Sequence, residues 1–261
     1  MQAFLVDGLR LSIWLILLAV IFVPLERVFA VRPSPIIRHQ SGVDLAWYFI
    51  NALVPAAIMA VPLAMLVSAL HGFDPVGFYS WVAGLPYWIK LVAALVVNDL
   101  AAYWMHRYMH SNPFLWRIHA IHHSAGHVDW LVNSRAHPLD IVILHMAGLV
   151  PVYLLGLASA SNGADPVAVT VVLVGTFWSF MIHANIKWRL GFVEHMISSP
   201  AFHHWHHTND EFRDHNFAAI LPVLDRLFGT LHLPPEFPTV YGVDADVPPE
   251  IIGQLLHPIR A

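Results

Sequence analysis

In residues 91–110, LVAALVVNDLAAYWMHRYMH, an apolar segment runs directly into two histidines. His106 and His110 are four residues apart, so a helix places both on one face, one turn apart. Asp99 and Tyr103 fall on that same face at helical spacing. An apolar helix that carries an aspartate and ends in paired histidines is typical of a membrane span that leads into a functional site.

Two further histidine clusters lie downstream. They read His119-x2-His122-His123 and His203-x2-His206-His207. In a helix the first histidine of each cluster shares a face with the others, while the last two diverge by about 100°, so one cluster can serve two metal ions. Buried imidazoles lose their hydration, and clustering them as cations would add like-charge repulsion. A shared metal ion removes both problems, because neutral imidazole is a good ligand for iron, zinc or copper.

The composition indicates an integral membrane protein. Of the 261 residues 57% are hydrophobic and 11% are charged, and the mean hydropathy is +0.61, whereas a soluble domain carries roughly 25% charged residues. The length favours a single domain over residues 1–261. A formal charge of −4 without basic runs gives no sign of nucleic-acid binding. The chain has no cysteine, which excludes disulfides and cysteine-held metal clusters. Any electrons that the metal site needs must therefore come from another protein.

Five segments are apolar and long enough, or nearly so, for a helix to cross a bilayer, which takes about 20 residues. They are 9–25, 45–70, 82–105, 139–158 and 166–184. The first is short and could be tilted or half-inserted, although we interpret it as a retained span and not a cleaved signal peptide. The second contains Pro55 and Pro62 and could be a kinked span or a re-entrant pair. The sequence therefore predicts an all-α polytopic membrane bundle of about four to five spans.

The basic residues orient these spans. If the N-terminus lies outside, eleven of the thirteen Lys and Arg residues fall on one side, and the connections 71–81 and 159–165 contain none. Basic residues favour the cytoplasmic side, and all three histidine clusters fall on that side. We therefore predict a multi-pass protein, of the inner or plasma membrane if bacterial. A cytoplasmic histidine-rich helical cap is expected from 106–138 and 185–261, with a proline-rich irregular cover after residue 233.

Several other polar residues are candidates for the site. Asp99 could accept the second N–H of a ligand histidine, or it could form an ordinary helix–helix hydrogen bond. By spacing alone, His183 could be a ligand or a hydrogen-bonding group on a polar stripe, and His137 could be a ligand or could brace the site from a loop. His204 is expected to point outward. The remaining histidines are not expected to be ligands; they are His39, His71, His127, His145, His195, His215, His232 and His257.

The three clusters resemble those of the fatty acid hydroxylase and sterol desaturase superfamily of membrane di-iron enzymes, whose HxxxH, HxxHH and HxxHH pattern is met here in order. The resemblance covers nearly the whole chain and extends to Arg135-x-His137-Pro138, His183-x-Asn185 and Asp225-Arg226-Leu227-Phe228-Gly229-Thr230. It implies an all-helical membrane fold with a histidine-rich cytoplasmic cap and two irons, with His183 as a further ligand. The chain departs from the pattern at Lys187, where some members have another histidine, and at Asp140, where many have glutamate.

The resemblance also implies O2-dependent oxidation of a C–H bond in a lipid, by hydroxylation or desaturation. The expected partners are a fatty acyl, sterol or related lipid from the bilayer and an electron-transfer protein of ferredoxin or cytochrome type. The expected metal ligands are His106, His110, His119, His122, His123, His183, His203, His206 and His207, with Asp99 and His137 in support. An alternative class is a divalent-metal transporter or metal-binding membrane protein. Transport predicts ligands at mid-span on several helices, whereas these clusters lie on one side.

Overall fold

The structure is a computed structural model that describes residues 2–70, 74–159 and 165–260. These residues form an all-helical bundle, and within them β-structure is limited to an isolated bridge between Thr208 and Tyr241. Short 310 helices lie at Pro75–Gly77, Trp130–Ser134 and Gly191–His195. The α-helices are α1 (Gln2–Phe29), α2 (Ser41–Leu70), α3 (Phe78–Ala83), α4 (Tyr87–Ser111), α5 (Pro113–His123), α6 (Pro138–Leu154), α7 (Pro166–His183), α8 (Pro200–His206), α9 (Val223–Phe228) and α10 (Ile251–Arg260).

Among the described helices α1, α2, α4 and α7 are long and apolar enough to cross a membrane. Helix α6 is shorter, with 17 residues, and at 1.5 Å per residue it is about 25 Å long. It nevertheless joins the two ends of the bundle, because the Tyr79 hydroxyl donates to its last carbonyl, Leu154, at the end opposite the histidines. The described chain therefore traverses the bundle five times. The predicted polytopic helical membrane bundle is confirmed.

Two predicted spans differ from the observed helices. Helix α2 is continuous through Pro55 and Pro62, so the re-entrant alternative is wrong. The third span begins at Tyr87 and not at residue 82, because Gly84 ends α3 and proline at 86 disfavours helix at the residue before it. The predicted connections include residues 71–73 and 160–164, which lie outside the described residues together with His71.

A buried network of ion pairs lies at the end of the bundle that carries the histidines. Arg38 donates to Asp44 and Asp129, with N–O distances of 2.5 Å to each. Arg135 donates to the other oxygen of Asp44 at 2.6 Å, and the Asp44 side chain has no exposed surface. Charges are tolerated in such an interior when they are paired and hydrogen-bonded. The network fixes the segment after α5 against the first turn of α2.

A second support consists of the irregular segment 217–221 and two carboxylates. Asp225 accepts the N–H groups of Phe217 and Ala218. Asp99, in the middle of α4, accepts those of residues 219, 220 and 221 at 2.7–3.2 Å. Backbone donors in a buried non-helical segment require acceptors. Asp99 is therefore occupied by backbone groups, and the hydrogen bond expected from a ligand histidine is not formed.

We expect the substitution Asp99→Asn to destabilise the fold. The carboxamide would turn an NH2 group toward the same N–H donors, and hydrogen bonds to a charged acceptor are worth about 1.5–3 kcal/mol each. A loss of about 3 kcal/mol in the free energy of unfolding should lower the apparent Tm measured in detergent. The control is Glu211→Gln, which changes an exposed carboxylate. Equal Tm values for the two variants would contradict the role given to Asp99.

Candidate metal centre

Nine histidines converge from α4, α5, α7 and α8 at one end of the bundle. They fall into two groups, and within each group one ring nitrogen per residue lies within 4.8 Å of those of all the other members. The five-histidine group consists of His106, His110, His119, His123 and His206. The four-histidine group consists of His122, His183, His203 and His207. The structure thus brings together all nine residues that the sequence nominated as metal ligands.

The helical period divides each downstream cluster between the two groups. In α5, His119 and His123 are four residues apart and enter the five-histidine group, whereas His122 enters the other. At α8 the assignment is reversed: His203 and His207, the residue directly after the helix, belong to the four-histidine group, and His206 belongs to the five-histidine group. Residues three and four apart share a face but diverge within it. One short helix can therefore supply ligands to two neighbouring positions.

The starts of α5 and α8 are fixed by the same local device. Asn112 accepts from two backbone N–H groups of the first turn of α5, and Ser199 accepts from one in α8. In both helices proline is the first helical residue, where its missing N–H leaves no partner unsatisfied. Such capping side chains set where a helix begins. The caps therefore set the rotation at which each cluster faces its neighbours.

In five of these imidazoles Nδ1, the nitrogen that points away from the centre of the group, forms a hydrogen bond. In four of them Nδ1 faces a backbone carbonyl, which can only accept, so Nδ1 carries the proton and Nε2 keeps its lone pair. The fifth faces a buried carboxylate and has the same tautomer. The pairs are His106 with Phe217 O (2.8 Å), His122 with Arg135 O (2.9 Å), His183 with Ser179 O (2.7 Å), His206 with His215 O (2.9 Å) and His119 with Asp140 Oδ1 (3.0 Å).

The inner nitrogens then face one another without a proton between them. The Nε2 atoms of His106 and His119 are 3.0 Å apart, and those of His122 and His183 are 3.1 Å apart. Two lone pairs at this distance repel, and the buried Nε2 atom of His206 has no hydrogen-bond partner. A cation at each group would turn this repulsion into coordination. All-imidazole donor sets suit first-row transition metals, including iron, so the residues fit a metal ion at each position.

Burial keeps these histidines in the neutral form that binds metal. Burial, followed by the neighbouring His119, lowers the pKa of His122 to about 4. Burial, together with adjacent imidazoles, also lowers the pKa values of His123, His203, His206 and His207 well below the ordinary range. Desolvation disfavours the charged form of histidine. At pH 7 these rings are therefore deprotonated and ready to coordinate.

Asp140 is a functional candidate that the sequence reasoning did not assign. It lies in the first turn of α6, is buried, and accepts from Nδ1 of His119. Carboxylates in this position orient a ligand histidine and increase its basicity. The two partners are 21 positions apart and lie in different helices, so no helical spacing connects them. In the sequence, Asp140 was marked only as a departure from the glutamate of the similar family. Asp140 has the contact that the sequence had suggested for Asp99.

His137 and His204 are not members of either group. His137 begins α6 by accepting from Leu139 N at 3.1 Å, and its Nε2 donates to the carbonyl of Leu255 at 3.3 Å. It therefore caps α6 and connects it to α10. His204 is buried, not outward-facing as expected, because Tyr241 and the Ala184 carbonyl bond to its ring. None of the other described histidines joins the two groups.

His110 connects the five-histidine group to the protein surface. Nδ1 of His110 is 3.1 Å from Asp214, whose side chain is 60% exposed. A cavity of about 50 Å³ lies beside it and is lined by residues that include His110, Trp116, His123 and Arg213. Such a volume holds one or two water molecules. The cap therefore leaves a narrow opening between solvent and one of the two histidine groups.

The chain is similar to several lipid-modifying enzymes. It is 32% identical over 183 residues to the ornithine lipid hydroxylase OlsE of Rhizobium tropici, covering 69% of this chain and 53% of the relative. It is 26% identical over 208 residues to the alkylglycerol monooxygenase of Danio rerio, covering 75% and 43%. It is 24% identical over 186 residues to methylsterol monooxygenase 2-2 of Arabidopsis thaliana, covering 66% and 64%.

The chain spans about half the length of the first of these relatives and less than two thirds of the others. No solved structure matches it. The family model for fatty acid hydroxylases matches residues 91–230, which is more than half of the chain and includes all nine grouped histidines. The chain therefore belongs to the fatty acid hydroxylase family.

Proposed function

We propose that this protein is an O2-dependent di-iron enzyme that hydroxylates a C–H bond of a membrane lipid. The observation that carries the proposal is the pair of histidine groups, in which unprotonated Nε2 atoms face one another. Iron held by these nitrogens would supply the oxygen activation that the oxidation of an unactivated C–H bond requires. Hydroxylation is favoured over desaturation because the similar proteins include a hydroxylase and two monooxygenases.

In this proposal the protein's own residues would hold and orient the two metal ions. Nine imidazoles would bind two ions, one at each group, and His183 would serve as a ligand with His122, His203 and His207. The Nδ1–H bonds fix five of the nine rings in one tautomer, and Asp140 would offset part of the positive charge through His119. Most of these rings are buried, which would restrict bulk water to the narrow opening beside His110.

The substrate would be a lipid that enters from the bilayer. The histidine groups lie where α4 and α7 end and α6 begins, so an acyl chain lying between these helices would approach them from the bilayer. The names of the similar proteins include an ornithine lipid, an alkylglycerol and a methylsterol, and polar membrane lipids such as ornithine lipids are the class to test first. Eleven of the thirteen basic residues fall at the histidine end, which supports a cytoplasmic site.

An external protein would supply the electrons, since the chain has no cysteine-held cluster of its own. The cap face around the cavity at His110 and Asp214 is the proposed docking region for a ferredoxin or a small cytochrome. The support is proximity, because at this face a hydrogen bond connects an exposed side chain to a histidine of the metal centre.

A metal-transport function has little support. Transport would need ligating groups free along a path through the bilayer. The buried carboxylates of the spanning helices are instead engaged: Asp44 by two arginines, Asp99 by backbone N–H groups and Asp140 by His119. Glu26 likewise accepts from two backbone N–H groups.

The first prediction under this proposal concerns metal content. The purified protein should bind about two irons, and His206→Ala and His122→Ala should each lose about one, because each removes a ligand from a different group. Elemental analysis of protein reconstituted with ferrous iron measures this ratio. The control is His204→Gln. His204 lies in α8 with His206, but it bonds to Tyr241 and belongs to neither histidine group. Unchanged iron content in both alanine variants would contradict the ligand assignment.

A second prediction concerns the reaction. Cells that express the protein together with an electron donor should accumulate a lipid with one additional oxygen atom, detected by mass spectrometry. Cells that express His122→Ala should not, because the four-histidine group is incomplete, while cells with His204→Gln should. A product lacking two hydrogens would indicate desaturation instead. Lipid oxidation that persists in protein without bound metal would exclude the proposal.

A further inference from the structure

Helix α10 is amphipathic, but its polar side faces the protein. Gln254 is 1% exposed and His257 is 6% exposed, whereas Ile252 and Ile259 are 71% and 76% exposed. In a helix Ile252, Leu255, Leu256 and Ile259 share one face, and both leucines are only partly buried. A surface helix in water usually has the reverse arrangement. The outward face of α10 is therefore made for an apolar environment.

The inward face of α10 is held by specific polar contacts. Gln254 accepts from Nε1 of Trp47 at 2.6 Å and donates to the carbonyl of Pro248 at 3.0 Å. The carbonyl of Leu255 accepts from His137, which begins α6. These bonds, from α2 and from the start of α6, fix the rotation of the helix. The exposure of Ile252 and Ile259 follows from that rotation and not from a loosely attached tail.

Helix α10 contacts the first turns of α2 at the histidine end, through Trp47 and Gln254. Trp47 lies in the second turn of α2, about 9 Å from its start at Ser41. Because α2 has 30 residues and is about 45 Å long, its first turns extend beyond a hydrocarbon core of roughly 30 Å into the head-group region. The exposed Leu45 of α2 is apolar at this same level. The apolar face of α10 therefore continues the lipid-facing surface of the bundle.

The charges around this face suit an anionic surface. Arg260 ends the helix and is exposed, and the exposed Arg117 lies on α5, against which α10 packs. The exposed Asp246 lies ahead of the helix, at the end away from Arg260. Glu250 precedes the first turn, where a negative charge complements the helix dipole. Arginines flanking a row of Ile and Leu are typical of helices that lie in the plane of a bilayer. Anionic head groups would attract the arginines.

We propose that α10 is an in-plane membrane helix, with Ile252 and Ile259 seated in the leaflet at the histidine end and Arg117 and Arg260 among its anionic head groups. The occupant of the exposed face is thus the lipid surface. This inference rests on the spanning bundle and is independent of the proposed metal chemistry.

The absence of cysteine in the chain allows a direct test. Single substitutions Ile252→Cys and Ile259→Cys, each at an exposed side chain, are spin-labelled in the full-length protein in nanodiscs that contain about one third phosphatidylglycerol. Power saturation compares access of lipid-soluble O2 with access of a water-soluble nickel chelate. Met65→Cys, exposed on α2, serves as the lipid reference. Asp244→Cys, whose side chain is 78% exposed, serves as the aqueous reference.

Labels at 252 and 259 should behave like the label at 65, with O2 access exceeding access of the nickel chelate. The Arg117→Gln/Arg260→Gln background should shift both labels toward the behaviour at 244. Chelate access equal to that at 244 without the arginine changes would overturn the proposal. Exclusion of both reagents would also overturn it, since the face would then be covered by a second copy of the chain.

Discussion

The structure depends on one constraint: imidazole lone pairs must face each other at two adjacent positions inside a folded protein. Neutral rings at 3.0–3.1 Å repel when neither carries the proton between them, and protonation would replace that repulsion with a cost of burying charge. A metal ion satisfies the nitrogens without either cost. The fold must therefore deliver the rings in the correct tautomer and withhold water and protons from them.

Much of the surrounding structure supplies hydrogen-bond acceptors for the Nδ1–H groups of the rings. The carbonyl of Phe217 belongs to the segment that Asp99 and Asp225 hold by its N–H groups. The carbonyl of Arg135 belongs to a residue whose side chain is locked to Asp44. The hydrogen-bond networks of the bundle and the tautomers of the site are thus parts of one arrangement. A substitution at Asp99 or Asp44 would therefore move the backbone carbonyls that accept hydrogen bonds from the rings.

The sequence predicts the parts of this site that follow from helical periodicity. The spacing within each downstream cluster correctly indicates that its members can serve two positions, and the ends of the apolar segments correctly place the clusters at one end of the bundle. It does not predict contacts that depend on tertiary packing. The Asp140–His119 bond joins two elements without a local pattern, and Asp99 bonds a segment 120–122 residues away. The predicted irregular cover after residue 233 is wrong for Ile251–Arg260, which forms α10, because the prolines within and before this segment disfavoured a helix.

X-ray absorption at the iron edge would identify the atoms that bind the metal. If the facing Nε2 atoms hold the metal, reconstituted protein should show a first shell dominated by nitrogen and strong outer-shell scattering from imidazole rings, with about four to five rings per iron as the two groups provide. An oxygen-dominated first shell with little imidazole scattering would contradict the account. In that case the two histidine groups would not be the metal centre.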